Sequence, residues 1–362
     1  MKKVLSLAAA GLFAAGAAQA GTLTVANSDI TLYGGISAAY EYAKNDAVTQ
    51  GNKDNFYVST VAVGLKADAD PDKSPIGFNA AFANFEIPTV IASTDVINNY
   101  NLIAYGKTNN SLKPWLAYVT IAPTEGLSID AGLLWNKFGE APLTILNQHY
   151  TRGILFTGHP VVYKGARVNY DLGMAKVYVG YNQGGGLRQG QTTNPLNNQI
   201  NDAFEAGAVI NVEPVKIGLH TYNEANGRDL YVLCLKGDAG IVKGGIEFDY
   251  TKLDDRPAAN ADDNAWGVAL NLNFDFLDAQ IANVTVPIRI EYVDNNKNTD
   301  IYLLGNDKTW SFTITPTYKP TKNTFARVEL AYTKADKNSF VDNKGKEKDN
   351  RTVVAFEAGF LF

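Results

Sequence analysis

The 362-residue sequence predicts an all-β fold, a transmembrane antiparallel β-barrel of about sixteen strands. Three observations lead to this prediction. Segments of alternating apolar and polar residues recur along the chain, their connections alternate between short and long, and a secretory leader precedes them. After that leader, no apolar run approaches the ~18–20 residues that a membrane-spanning helix needs.

Residues 1–20 have the organisation of a secretory signal peptide. The basic pair Lys2-Lys3 precedes an apolar stretch and a small-x-small cleavage site at residues 18–20. A retained N-terminal anchor is the alternative, but the apolar stretch is too short for a spanning helix. We therefore expect residues 21–362 to form the barrel, outside the inner membrane.

The strands follow from a two-residue period, because successive side chains of a strand point to opposite faces. The clearest case is 265–274, where Trp266, Val268 and Leu270 alternate with smaller or polar residues. Sixteen segments of this kind are predicted at residues 32–42, 57–67, 76–84, 115–122, 127–135, 162–170, 175–182, 203–211, 215–222, 229–236, 241–252, 265–274, 285–293, 309–318, 324–332 and 352–362.

The connections between the predicted strands alternate between short and long. The short ones lie near residues 68–75, 123–126, 171–174, 212–214, 237–240, 275–283 and 319–323. The long or very polar ones lie near residues 43–54, 86–112, 136–161, 183–202, 223–228, 253–264, 294–308 and 334–350. Short periplasmic turns and long extracellular loops are typical of an outer-membrane barrel, whereas a soluble β-sandwich would not alternate in this way.

Composition excludes several other classes of function. Asp and Glu number 37 against 32 Lys and Arg, for a net charge of -5, so we expect no nucleic-acid partner. One cysteine and three scattered histidines do not suggest a metal site, and no catalytic or phosphate-binding motif is present. We expect neither an enzyme nor a bound cofactor.

Charged residues recur on the strand phase opposite the apolar one. Lys or Arg on a lipid-facing wall would cost ~2–4 kcal/mol near mid-depth, so this phase is expected to face a water-filled lumen. Its basic members are Arg167, Lys176, Lys216, Lys243, Arg289 and Arg327, and its acidic members are Glu41, Asp130, Glu205, Glu247, Asp249, Glu291, Glu329 and Glu357. The basic groups come first around the wall and the acidic groups concentrate near the seam, which suggests a transverse field; a solvated wall without selectivity is the alternative.

Loop 136–161 is the predicted constriction. It carries many apolar residues, such as Leu143 and Phe156, which an external loop would not need. Folding into the lumen would bury them, whereas packing at the extracellular mouth or extending a strand are the alternatives. Arg152, facing Glu140 or a wall acid, is expected to set ion preference. The predicted pore-lining and constriction residues are Lys137, Glu140, Arg152, Arg167, Lys176, Lys216, Lys243, Glu291, Glu329 and Glu357.

Four segments carry a resemblance to a known family. The final strand reads VVAFEAGFLF at residues 353–362, and the opening strand reads ITLYGG at residues 30–35. Two internal segments read GLLWNKFG at 132–139 and YTRGILF at 150–156. The chain resembles Gram-negative outer-membrane porins, and more narrowly the beta-barrel porin-2 family.

That resemblance implies a place in the Gram-negative outer membrane, in contact with its lipids. It also implies that the barrel-assembly machinery reads the C-terminal strand that ends in Phe362. The expected function is passive diffusion of small hydrophilic solutes and ions, and in similar porins the third loop folds inward. A substrate-specific channel for a sugar or an anion, or a non-conducting structural or adhesive barrel, are the alternatives. Small residues such as Gly34, Ala38 and Ala358 could form a homotrimer contact at the seam, and the sequence leaves the choice between monomer and homotrimer open.

Overall fold

The computed structural model describes most of the chain. The described residues are 22–25, 28–47, 53–93, 112–141, 143–183, 202–225, 227–254, 259, 261–297, 301–302 and 308–362. The predicted signal peptide, residues 1–20, lies outside these ranges. Within them, no helix is long and apolar enough to cross a membrane.

Sixteen long strands form the wall. They are β1 (Ser28–Lys44), β2 (Lys53–Ala67), β3 (Ile76–Phe85), β4 (Lys113–Thr124), β5 (Leu127–Trp135), β6 (Val162–Asp171), β7 (Ala175–Gln183), β8 (Asp202–Val212), β9 (Val215–Glu224), β10 (Arg228–Ala239), β11 (Val242–Leu253), β12 (Asn264–Asp275), β13 (Val284–Asp294), β14 (Lys308–Ile314 continued by Thr317–Tyr318), β15 (Thr324–Ala335) and β16 (Asn350–Leu361). Each overlaps one predicted strand, so this count, made on the described residues, confirms the predicted all-β fold.

The remaining elements are short. Strand Thr22–Val25 folds back on the start of β1, and a small separate sheet joins Asp46–Ala47, Phe340–Val341 and Glu347–Lys348. Two 3-10 helices, Thr144–Leu146 and Leu155–Gly158, lie in the segment between β5 and β6.

The sheet closes on itself. Every wall strand pairs antiparallel with the next, and β16 completes the ring by pairing with β1 in a register that sets Ala38 opposite Ala358. Beyond β16, Phe362 exchanges two backbone hydrogen bonds with Gly34, of 2.9 and 3.0 Å. A closed antiparallel ring leaves no sheet edge, which is what a strand-built membrane protein requires.

Side-chain exposure follows the predicted phase. On β1, Ile36 is 51% exposed whereas its neighbour Ser37 is 2% exposed, and β16 alternates in the same way. On these two strands the outward residues are mostly apolar and would meet lipid, whereas the inward ones are covered by protein inside the barrel.

The main core therefore lies within the lumen. Inward alanines of the seam strands, among them Ala39, Ala331 and Ala355, leave room for larger side chains that come from loops. Those side chains include Ile145, Ile154 and Phe156 from the segment after β5 and Ile87, Val90 and Ile91 from the segment after β3. Burial of these apolar groups packs both segments against one side of the wall.

Candidate functional site

The segment from residue 136 to residue 161, described except for residue 142, crosses the lumen and returns. Its two limbs are held together near the wall, where Asn136 donates from its backbone to Val161 (3.1 Å) and from its amide to Pro160 (2.6 Å). Further along, the Gly153 N–H donates to the Glu140 carboxylate at 3.1 Å. The loop is a folded lobe with its own hydrogen bonds.

Arg327 on β15 fastens the tip of this lobe to the seam. Its guanidinium donates to Glu357 of β16 at 2.8 Å and to the carbonyls of Asn147 (2.7 Å) and Thr144 (2.9 Å). The Thr144 hydroxyl donates to the second oxygen of Glu357 at 2.7 Å. Arg327 and Glu357 thus satisfy one another and the backbone of the loop at the same time.

Glu329, two residues further along β15, binds the part of the loop that leads back to β6, here called the return limb. Its carboxylate accepts the backbone N–H groups of Tyr150 (2.6 Å) and Thr151 (2.9 Å) and the hydroxyl of Thr315 (2.9 Å). Because that hydroxyl has given its hydrogen to Glu329, His149 Nδ1 is the donor in its 2.7 Å bond with Thr315. Burial lowers the pKa of His149 well below its usual value, so this imidazole is neutral.

Arg289 and Glu291 on β13 hold the middle of the return limb. Arg289 pairs with Glu140 of the loop at 2.8 Å and lies 3.3 Å from Glu291. Glu291 accepts the Leu155 N–H at 3.2 Å and the Ser311 hydroxyl at 2.8 Å. A loop residue and a wall residue therefore share one guanidinium.

His159 closes the lobe against β11. Its Nε2 lies 2.6 Å from Asp249 and 3.9 Å from Glu247, and these three form a group in the described residues whose ligand atoms approach within 4.8 Å. Burial alone would lower the pKa of His159, but the two carboxylates outweigh burial and raise it. The 2.6 Å contact already uses the atoms that a metal ion would need, so the arrangement is that of an imidazolium–carboxylate pair.

A second segment, absent from the sequence prediction, packs beside the lobe. Residues 88–90 form a parallel bridge with residue 152, in which Val90 N–H donates to the Arg152 carbonyl (2.9 Å) and Arg152 N–H donates to Pro88 (2.8 Å). Arg351 of β16 donates to Thr89 at 3.0 Å and to Asp46 at 3.1 Å. Arg351 shares the inward phase of Glu357, so its position was readable from the sequence.

The burial of Arg152 corrects the expectation that it faces the passage. Its side chain is 0% exposed, and its guanidinium donates to the Tyr150 carbonyl at 2.9 Å within the packed interface. Its charged neighbours include Glu140, the partner expected from the sequence, and Glu357. Because the side chain is fully buried, solutes would not meet its charge directly.

The predicted acids and arginines of the wall are buried as well. Glu291, Glu329 and Glu357 are each at most 1% exposed, because the lobe covers them. Arg167 is 3% exposed and pairs with Glu205 at 2.8 Å, away from the lobe contacts described above. The structure therefore corrects the simple separation of basic and acidic wall sectors, since arginines neutralise acids within each sector.

The predicted lysines lie elsewhere. Lys137 on the loop and Lys216 on β9 are exposed, and Lys176 on β7 has 65% of its side chain exposed while pairing with Asp171 at 2.9 Å. Lys243 on β11 is half-buried and pairs with Asp275 at 3.4 Å near the periplasmic turns. The accessible cationic groups of the lumen wall are thus lysines, whereas the arginines of the wall are buried in ion pairs.

Between the lobe and strands β9–β13 lies a cavity of about 600 Å³. Loop residues such as Gln148 form one side, and inward residues such as Lys216 and Asn271 form the other. Polar groups around a wet space of this size are suited to passing or binding hydrophilic solutes.

Comparisons with known proteins agree with this architecture. The profile of the beta-barrel porin-2, OmpL-like, family matches residues 29–362. A search of the curated proteins finds no match.

Solved structures of similar fold are outer-membrane proteins. The anion-selective porin from Comamonas acidovorans shares 13% identity, with 92% of this chain and 100% of that chain covered and a TM-score of 0.65. OmpF from Salmonella typhi, solved with daunomycin, shares 12% identity over 94% of this chain and 100% of its own, with a TM-score of 0.64. In vitro folded OmpT of Vibrio cholerae in its trimer form shares 10% identity over 93% and 100% of the two chains, with a TM-score of 0.60. At these identities the likeness concerns the fold, while the family match covers residues 29–362, nearly the whole described barrel. The chain therefore belongs to the beta-barrel porin-2, OmpL-like, family and is an outer-membrane channel protein.

Proposed function

We propose that this porin passes small hydrophilic solutes and ions passively, through the part of the lumen that loop 136–161 leaves open. The observation that carries the proposal is that the loop occupies one side of the lumen and leaves the other side open. The loop is fastened to β13–β16 by Arg289, Arg327 and Glu329, while exposed lysines and the 600 Å³ cavity lie on the other side. The proposal assigns the chain no catalytic role and no cofactor.

Liposome swelling tests this proposal. Vesicles containing the refolded protein are placed in isotonic solutions of sugars of increasing size, and vesicles with heat-denatured protein serve as the control. We expect fast swelling with monosaccharides and a steep fall in rate as the sugar grows, because the loop narrows the passage. Equal rates in both vesicle preparations would contradict passive diffusion.

A substrate-specific channel is the second candidate, and one feature favours it. Tyr33, Asn79 and Tyr118 form a half-buried ladder on β1, β3 and β4, in which Tyr33 donates to Asn79 at 2.5 Å and Asn79 donates to Tyr118 at 3.5 Å. Aromatic faces beside polar groups are suited to sugar rings. Saturable block of the ion current by one disaccharide, lost in Tyr118→Ala, would favour this candidate over the general channel.

We infer that the chain reaches the outer membrane by cleavage after Ala20 and by recognition of its last strand. Phe362 contributes the last backbone pairing at the seam, with Gly34. Mass spectrometry of the membrane-inserted protein should give a mature chain beginning at Gly21. Deletion of Phe362 should lower the amount of heat-modifiable barrel in the outer membrane, and an unchanged amount would contradict recognition by the assembly machinery at this residue.

We also propose a homotrimer built on the seam, where small outward side chains allow close approach. Ala38 and Ala358 are exposed and lie opposite one another between β1 and β16. The trimer form of the Vibrio cholerae protein of similar fold supports this proposal. Native mass spectrometry should show a trimer for the wild type and a monomer for Ala38→Trp/Ala358→Trp, and a monomeric wild type would contradict it.

A further inference from the structure

Two lysines face the cavity directly opposite one another on neighbouring strands. Lys216 of β9 and Lys236 of β10 are cross-strand partners, both on the inward phase and both exposed. Like charges placed opposite one another in an antiparallel pair destabilise the sheet. The pair is therefore a cost to the fold that a bound anion would offset.

No described residue neutralises either lysine. In the described part of the chain no ion pair involves either ammonium group, whereas Lys243 on the next strand is engaged by Asp275 and Asp278. The two ammonium groups are thus free to meet a solute that enters the cavity.

Carboxylates also line this cavity, but each already has a basic partner. Glu140 and Glu291 share Arg289 at 2.8 and 3.3 Å. Glu247 lies 3.9 Å from His159, and Asp238 lies 3.9 Å from Lys243. Lys216 and Lys236, by contrast, are lining cations that no carboxylate of the described residues pairs with.

Two amides complete the set of donors. Gln148 of the loop and Asn271 of β12 line the same cavity, and neither side chain forms a hydrogen bond within the described residues. Two ammonium groups and two amide N–H₂ groups around one half-open cavity match the several acceptor oxygens of an oxyanion.

We propose that this cavity is a binding site for a small multivalent oxyanion, held by Lys216 and Lys236 and oriented by Gln148 and Asn271. Phosphate and carboxylate groups share the required chemistry. The inference rests on the proposed function for the route by which the anion arrives, but binding itself does not depend on conduction. A bound anion beneath the loop would also narrow the passage and reduce ion flow.

Calorimetric titration of the refolded barrel with pyrophosphate, in low-salt buffer, tests the proposal. We expect one saturable site per chain in the wild type and at least a tenfold weaker affinity in Lys216→Gln/Lys236→Gln. The control is Lys319→Gln/Lys322→Gln, which removes the same charge from the turn between β14 and β15, outside the cavity lining, and should bind as the wild type does. A parallel titration with succinate distinguishes phosphate from carboxylate ligands.

No binding by the wild type would overturn the proposal, as would equal affinity in the cavity variant and the wild type. Heat-modifiability of each variant on a gel verifies that the barrel is folded. The same preparations are then inserted into planar bilayers. A barrel that conducts without binding pyrophosphate or succinate overturns this inference alone, whereas a barrel that binds either anion without conducting overturns the proposed function alone.

Discussion

Arg327 contacts the wall and the loop at once, through Glu357 and through two loop carbonyls. Both side chains are buried, so removal of one leaves the other charge without compensation. We expect Arg327→Met to lower the free energy of unfolding by about 3–5 kcal/mol, measured by urea unfolding in lipid vesicles.

Arg327→Met/Glu357→Gln is the matched test of that cause. In the single variant the buried charge of Glu357 has lost its partner. The double variant also removes that charge, so it should recover part of the lost stability. Lys334→Gln is the control, since its pair with Asp349 is 39% exposed on both sides and should contribute less than about 1 kcal/mol. Equal losses for Arg327→Met and Lys334→Gln would contradict the anchoring role of Arg327.

Gly153 lies where the loop packs tightly against Glu291 of β13. A Cβ at this position would overlap Glu291 Oε1 and would lie 2.8 Å from Glu140 Oε1. Since both carboxylates are fixed by Arg289, Gly153→Ala should push the return limb from the wall and lower stability by about 1–3 kcal/mol.

Gly237→Ala provides the comparison, because the nearest atom to its new Cβ is Pro214 O at 3.9 Å. The unfolding midpoint and the open-channel noise of the two variants would be compared. A quiet, wild-type channel from Gly153→Ala would show that the limb does not need this close contact.

The sequence predicts the direction of a wall side chain better than its surroundings, and the reason is physical. The two-residue period fixes whether a wall side chain points inward, and Glu357 and Arg289 both lie on the inward phase. It carries no information on what covers an inward residue. Arg152 was therefore expected at the passage but lies in the interface, and Arg351 was overlooked although it shares the phase of Glu357.

At the scale of elements, the strands were predictable because lipid on one side and protein or water on the other impose strict alternation. The register was not, since bulges such as that between Ser37 and Ala39 depend on contacts with partner strands. The segment at 86–93 carries the same signal as loop 136–161, apolar residues in an external connection, and packs inside the barrel in the same way.

Loop 136–161 is the element whose removal should change transport most. Replacing residues 140–157 with a short Gly-Ser linker removes the lobe while the ends of β5 and β6 stay joined. We expect larger single-channel conductance and passage of larger sugars, because the bore of a sixteen-stranded barrel is wide enough for an aqueous channel.

The same replacement at residues 342–346, an exposed turn in the last loop, is the control and should leave conductance unchanged. Wild-type conductance and an unchanged sugar size limit in the lobe variant would place the narrowest point elsewhere.

Across the whole molecule, the charges divide into two populations. Among the described residues, the inward arginines are buried with acidic partners, most of them where the lobe meets the wall, and several lysines remain accessible along the rest of the lumen. Composition alone gives a net charge of -5 and hides this division, because many of the acidic groups never meet the solute. The division requires knowledge of which side of the barrel the loop covers, and that comes from packing.

Single-channel recording of the refolded protein in a planar bilayer tests the central claim most directly, since a wet passage must conduct. The account predicts stable ohmic steps whose size grows in proportion to the KCl concentration, with heat-denatured protein as the silent control. A correctly folded, heat-modifiable barrel that gives no steps would contradict the account.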